Sequence, residues 1–300
     1  MIRCVRTPAF GVPDMSRSAT AIPTTALPSG ETVPVLGQGT WNLGDDPGKR
    51  TSEIDALRLG LDLGMTLLDT AEMYGSGASE KLVAEAIHGR RDEAFLVSKA
   101  LPQNASAKET VRACEDSLKR LKTDRIDLYL LHWRGDVPLE ETLEGFESLL
   151  HTGKIRYWGV SNFDVDDMEE LVALAGGGAV ATNQVLYNLT RRGIEWDLLP
   201  WSRKRSHPIP VMAYSPIEQG RLLKHAALQT VAARHHATPT QVALAWVLKT
   251  AGIIAIPRTG KAAHVRDNRA ALDLQLTQQD MEELESAFPK PKRKRSLEML

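Results

Sequence analysis

Eight short apolar runs alternating with helix-length amphipathic segments constrain this chain more than any other feature of its sequence. The runs are VPVLGQGT (33–40), TLLDTA (66–71), AFLVSKA (94–100), IDLYLLHW (126–133), IRYWGVSN (155–162), VATNQVLY (180–187), IPVMAYSP (209–216) and IIAIPRTG (253–260). They are almost continuous in apolar character, the signature of parallel strands covered on both faces. Helices are predicted between them. One spans 51–64, with Ile54, Leu57 and Leu61 at helical spacing and a glycine stop. Another opens at Ser106 with Glu109 three residues later, the spacing of a capping box. Others run from Pro138 to Gly153, from 165 into the glycines at 176–178, near 222–235 and 239–251, and over 277–288. Eight strand–helix repeats without a linker or composition break predict an α/β protein, a closed (β/α)8 TIM barrel in a single domain over 31–300. An open doubly wound sheet is the alternative.

Composition narrows the function classes. Thirty-seven basic against thirty-eight acidic residues leave a net charge of -1, without the basic excess of a general nucleic-acid binder. The two cysteines, Cys4 and Cys114, form no CxxC pair, so neither a disulfide framework nor a cysteine zinc site is expected, and no metal. No apolar run reaches the roughly 18 residues of a membrane span. Residues 1–30 are broken by prolines and lack the apolar stretch of a secretory signal, which predicts an unstructured extension and a cytoplasmic protein.

Each apolar run ends in polar residues on its C-terminal side: Asp69, Lys99, His132, Ser161 and Asn162, Asn183 and Gln184, Tyr214 and Ser215, and Arg258. In a barrel those ends converge on one face, where active sites lie. Asp69 and Lys99 at neighbouring strand ends can pair. A cation beside Tyr74 is expected to pull the phenol down from about 10 and make it a usable general acid. Gly75 and Gly77 let the chain turn Tyr74 back over the mouth, and a neutral His132 can orient the same carbonyl oxygen.

The ordered set Asp69, Tyr74, Lys99 and His132, in LDTAEMYG, LVSK and LLHW, resembles the catalytic tetrad of the aldo-keto reductases. Further matches are GKIRYWGVSN, NQVLYN, MAYSP and IPRTG…HVRDN, and the likeness covers about 33–288. GQGTWNLG, DTAEMYG and LHW particularly resemble bacterial members acting on small aldehydes, including methylglyoxal. The resemblance implies NADPH across the barrel mouth, with NADH as a weaker substitute, a small carbonyl substrate, no nucleic-acid or membrane partner, and a monomer. It implies that Ser161, Asn162 and Gln184 hold the nicotinamide carboxamide and that Tyr214 stacks on the ring. Ser215, Pro216, Ile217, Gln219, Gly220 and Arg221 would line the pyrophosphate, and Gly39, Thr40, Trp41, Asp69 and Ile256 also fall to the cofactor site. Trp41, Tyr74, His132 and Trp133 would wall the substrate pocket.

The pattern departs from the family after the eighth run. Where the family usually has Lys, Ser, Arg and Asn around the adenosine 2′-phosphate, this chain has Arg258, Thr259, His264 and Asn268. Arg258 remains a strong phosphate ligand, whereas a histidine makes one charge conditional on pH. The expectation is an NADPH preference that is weaker than in arginine-bearing relatives and stronger at acid pH. GSGAS after Tyr74 has Glu80 where a Rossmann fingerprint needs its third glycine, so it is a turn and helix start. His235–His236 is expected at a solvated helix end, and the tail PKPKRKRSLEML as a solvated basic segment. Two other functions share these residues: a Schiff-base lyase using Lys99, and a non-catalytic NADPH-binding regulator.

Overall fold

The structure, a computed structural model, describes residues 21–300. It begins with an antiparallel hairpin of β1 (Thr24–Ala26) and β2 (Thr32–Pro34). Residues 24–30 are therefore ordered, which corrects the expected extension over that part; residues 1–20 lie outside the described residues. The eight apolar runs supply β3 (Gln38–Gly39), β4 (Leu67–Asp69), β5 (Phe95–Ala100), β6 (Ile126–Leu131), β7 (Ile155–Ser161), β8 (Asn183–Leu186), β9 (Val211–Tyr214) and β10 (Ile253–Ala255). These pair in parallel in chain order. Parallel bridges Leu36–Ala255 and Gly39–Arg258 join the two edges. The main chain of Gly37 donates to Ala255 at 2.9 Å and that of Ala255 to Val35 at 2.8 Å, closing the barrel.

Closure depends on small residues. A Cβ on Gly39 would lie 2.7 Å from the Ile256 carbonyl oxygen, and one on Gly37 2.8 Å from that of Leu67. Helices cover the outside: α1 (Arg50–Asp62), α2 (Ala78–Ala86), α3 (Ala107–Leu121), α4 (Leu139–His151), α5 (Val165–Ala173), α6 (Leu198–Arg203), α7 (Ala226–Arg234), α8 (Pro239–Leu248), α9 (Ala262–Ala270) and α10 (Gln278–Ala287). Ser106 accepts from the Glu109 main chain, but full reciprocal capping boxes form instead at Asp164/Asp167, Thr238/Gln241 and Thr277/Asp280. The helix expected from 222 starts only at Ala226, because Gln219 and Gly220 take left-handed conformations that break the turn before it.

Strand side chains alternate between two cores. Leu68, Leu96, Tyr129, Leu131, Trp158 and Val160 face the helices. Leu67, Val97, Leu128, Leu130, Met212, Ile254 and Ile256 fill the barrel interior. Leu27 and Val33 of the hairpin join this inner cluster and stopper the end where the strands begin. The hairpin is tied down by Glu31, which accepts from the Tyr157 hydroxyl at 2.6 Å and pairs with Arg156. His235 is not a solvated helix end. Its ring nitrogen lies 2.6 Å from buried Asp280, which also pairs with Arg234 and so fastens α7 to α10. No helix among the described residues is long and apolar enough to cross a membrane.

Candidate active site

The inward period of two carries the site. Continuing from Leu67 to 69, from Val97 to 99 and from Leu130 to 132 puts Asp69, Lys99 and His132 on the inner face, at the end opposite the hairpin stopper. Tyr74 follows β4 in a tight turn where Gly75, Ser76 and Gly77 have φ of 56°, 51° and 87°. That left-handed run brings the phenol back over the mouth and lets α2 start at Ala78. A side chain on Gly77 would also strike Arg120.

Lys99 is fully buried and uses all its donors. Its Nζ lies 2.7 Å from Asp69 Oδ1, 2.8 Å from the Thr70 carbonyl oxygen and 3.2 Å from the Tyr74 hydroxyl. An ammonium has three N–H groups and no acceptor, so the phenol oxygen must be receiving one of them. The phenol's own proton is then free to point at a substrate. Burial pulls the Lys99 ammonium below its ordinary range, and the Asp69 carboxylate opposes this. For Tyr74, burial pushes the phenol well above its ordinary value and the Asp69 charge adds to the rise. This corrects the expectation of a lowered phenol. Lys99 is half of a tight buried ion pair, so Tyr74 meets no lone cation, and desolvation of a phenolate dominates. Tyr74 is therefore a protonated donor at neutral pH.

His132 stands across from Tyr74, the ring centroids 5.8 Å apart and nearly perpendicular. Burial, with the Lys99 charge second, pushes its imidazole down to about 2, so it is neutral at working pH. Its Nδ1 is buried without a hydrogen-bond partner among the described residues. A proton on Nε2 leaves only an acceptor unpaired there, and Nε2–H is then a donor for a carbonyl oxygen. Trp133 packs on it at 4.9 Å between centroids. Trp41, with 41% of its surface exposed, lies on the loop after β3.

The expected cofactor residues fall into two groups. Thr40, Ser161, Gln184 and Ile256 are buried. The Thr40 hydroxyl donates to the Asp69 carbonyl oxygen at 2.8 Å and accepts from Ser79 at 2.6 Å. Ser161 donates to the Gln184 carbonyl oxygen at 2.8 Å, and the Gln184 amide reaches Asp69 Oδ1 at 2.7 Å. The second group rings the mouth. The Asn162 side-chain amide bridges the His132 carbonyl and the Tyr214 hydroxyl, at 3.1 and 3.0 Å. Burial pushes the Tyr214 phenol up to about 12. Ser215, Gln219 and Gly220 have φ of 46°, 54° and 85°, Pro216 and Ile217 lie between them, and Arg221 is exposed. Exposed Arg258 donates to the Trp41 carbonyl at 2.7 Å, and no carboxylate among the described residues lies within ion-pair distance. Thr259 and exposed His264 are 3.4 Å apart, and Asn268 is buried on α9.

Some supporting residues gave no sequence signal. Glu218, also left-handed at φ 48°, is buried and gripped by Asn188 at 2.8 Å and Arg191 at 3.0 Å. Ser79 links Thr40 and Thr70 beneath the Tyr74 turn. Fully buried Glu80 accepts from Ser98 at 2.7 Å and pairs with Arg120, next to Lys99. The tail is only partly solvated. Arg191 reaches Glu298 at 2.7 Å, Lys294 lies 3.5 Å from Asp197, and Leu297 packs on the outer core.

Residues 35–288 match the Aldo/keto reductase family. The chain belongs to that family. It is 50% identical over 273 residues to methylglyoxal reductase YeaE of Escherichia coli, covering 89% of this chain and 95% of that one. Methylglyoxal reductase DkgB of Escherichia coli O157:H7 is 31% identical over 254 residues, covering 83% and 90%. Among solved structures, an aldo/keto reductase of Klebsiella pneumoniae in complex with NADP and acetate superposes with a TM-score of 0.90. The two are 47% identical over 93% of this chain and all of that one. In this aldo/keto reductase Asp69, Tyr74, Lys99 and His132 gather at the end of the barrel opposite the hairpin.

Proposed function

We propose that the protein reduces small aldehydes and ketones, methylglyoxal among them, with NADPH. The observation that carries the proposal is the contact of Lys99 with the Tyr74 oxygen, which leaves a neutral phenol with its proton directed outward beside a neutral His132. The mouth fits an anionic dinucleotide on two counts. The loop after β9, tightly turned through four left-handed residues, Ser215, Glu218, Gln219 and Gly220, carries the exposed cation of Arg221. Arg258 offers an exposed guanidinium that no carboxylate neutralises among the described residues. Arg258, Thr259 and His264 would hold the adenosine phosphate, the 215–221 loop the pyrophosphate, and Asn162 and Tyr214 the nicotinamide end.

Bound nicotinamide supplies the hydride; the chain supplies orientation and the proton. His132 donates a hydrogen bond to the carbonyl oxygen and aims it at Tyr74. As negative charge grows on that oxygen, the Tyr74 proton moves to it. Lys99 holds the phenolate that is left, and Asp69 keeps Lys99 charged. Trp41 and Trp133 give the carbonyl an apolar wall. A Schiff-base lyase is disfavoured, because Lys99 is fully buried and each of its hydrogens has an acceptor. The name of the Escherichia coli relative supports methylglyoxal as a substrate.

The test is oxidation of NADPH by methylglyoxal, for wild type and Tyr74→Phe. Loss of about a thousandfold in kcat is expected, with NADPH binding kept, in line with the ~10²–10⁴-fold contribution of a general acid. Full activity in the variant would move the proton donor elsewhere. A wild type that binds NADPH but turns over no carbonyl would make the protein a regulator.

A further inference from the structure

We infer that Gln184 is a positioning residue for proton donation, holding Asp69 in place from the opposite wall of the barrel. The inference rests on the reductase function proposed above. β4 and β8 stand four places apart in the eight-stranded order, so the Gln184 side chain crosses the interior to reach Asp69. There it donates to Oδ1 at 2.7 Å, the same oxygen that Lys99 meets at 2.7 Å. Gln184 is 2% exposed and Asp69 2% exposed, so no water competes freely for that oxygen.

The geometry makes Gln184 more than filler. The Lys99 ammonium has three hydrogens aimed at three fixed acceptors, and turning any one away misdirects the others. Asp69 thus determines whether Lys99 keeps its third hydrogen on the Tyr74 oxygen. The Asp69 carboxylate in turn is held by only two side chains among the described residues, Lys99 and Gln184. Gln184 is itself rigid: its amide contacts Met212 Sδ at 2.9 Å, and its main-chain carbonyl accepts from the Ser161 hydroxyl at 2.8 Å and the Asn162 main chain at 2.9 Å. The titratable groups facing this cluster are Tyr74 from the turn after β4, Lys99 from β5 and His132 after β6. Glu80 faces it from α2, and Tyr214 from β9.

Two variants separate this role from a structural or cofactor-holding one. Gln184→Glu keeps the shape and can donate to Asp69 only when protonated. As pH rises, the introduced carboxyl loses that proton and sets a second charge against Asp69. Its kcat for methylglyoxal, taken relative to wild type at each pH, should fall roughly tenfold or more between about pH 5 and about pH 8. Gln184→Leu removes the donor at every pH, so its kcat should be lower by about tenfold throughout, with NADPH still bound as read by fluorescence. If Gln184→Leu prevents folding, the Gln184→Glu variant carries the test alone. A Gln184→Glu profile that runs parallel to wild type overturns the inference, as does a loss confined to NADPH affinity. Wild type without carbonyl turnover would instead overturn the reductase proposal.

Discussion

Lys99 meets three acceptors with three hydrogens, and the rest of the site's behaviour follows from that saturation. Asp69, Lys99 and His132 were legible because each ends an apolar run in phase with inward-facing leucines and valines. Gln184 was legible as a strand-end polar group, but not its reach to Asp69, because which partner a side chain finds across a barrel depends on closure. The hydroxyl chain Thr40–Ser79–Thr70 left no trace for the same reason. The direction of the Tyr74 shift was misjudged because burial, the larger influence, cannot be seen in a list of neighbours. His264, exposed beside Thr259, is the residue that sets this chain apart at the phosphate end. A permanent guanidinium there adds a charge-assisted hydrogen bond of about 1.5 kcal/mol, or roughly tenfold. The preference for NADPH over NADH, measured as the ratio of kcat/KM, should be about tenfold larger in His264→Arg than in wild type at pH 8.

Among the elements, α7 and α10 are joined through two carboxylates of α10, Glu283 at the surface and Asp280 buried beneath it. Asp280 accepts from Thr277, caps α10, and meets Arg234 and His235 of the α7 end. Burial works against its charge, but these hydrogen bonds win and hold the carboxyl below its usual range. A carboxyl depressed on folding stabilises the fold above its unfolded value near 4, and that stability drains away as pH falls toward the folded value. Asp280→Asn should therefore cost about 3 kcal/mol at pH 7, and the gap from wild type should narrow at about pH 3, as read by thermal unfolding. The sequence marked both helices but not this tie. A histidine pair after an alanine-rich helix carries no hint of which distant acid it will face. Likewise the break before α7 came from Gln219 joining Gly220 in a left-handed conformation, which a glutamine does not announce.

As a whole, the barrel was the most legible feature, since eight runs of parallel-strand character leave few ways to satisfy their edges. Its closure rests on β3, the shortest strand, where Gly39 lies against the Ile256 carbonyl. Gly39→Ala should force the first and last strands apart, costing about 2 kcal/mol and lowering the melting temperature by several degrees. An unchanged melting curve would mean that the seam is looser than the parallel bridges imply. The hairpin at the other end was not foreseen, because its short strands sit in a stretch whose prolines spoke for disorder. That stopper has a consequence for traffic. With Leu27 and Val33 filling one end, everything that reaches Lys99 arrives and departs through a single doorway. Two guests sharing one doorway must queue, so the order in which they come and go is written as much into the sealed floor as into the residues they meet.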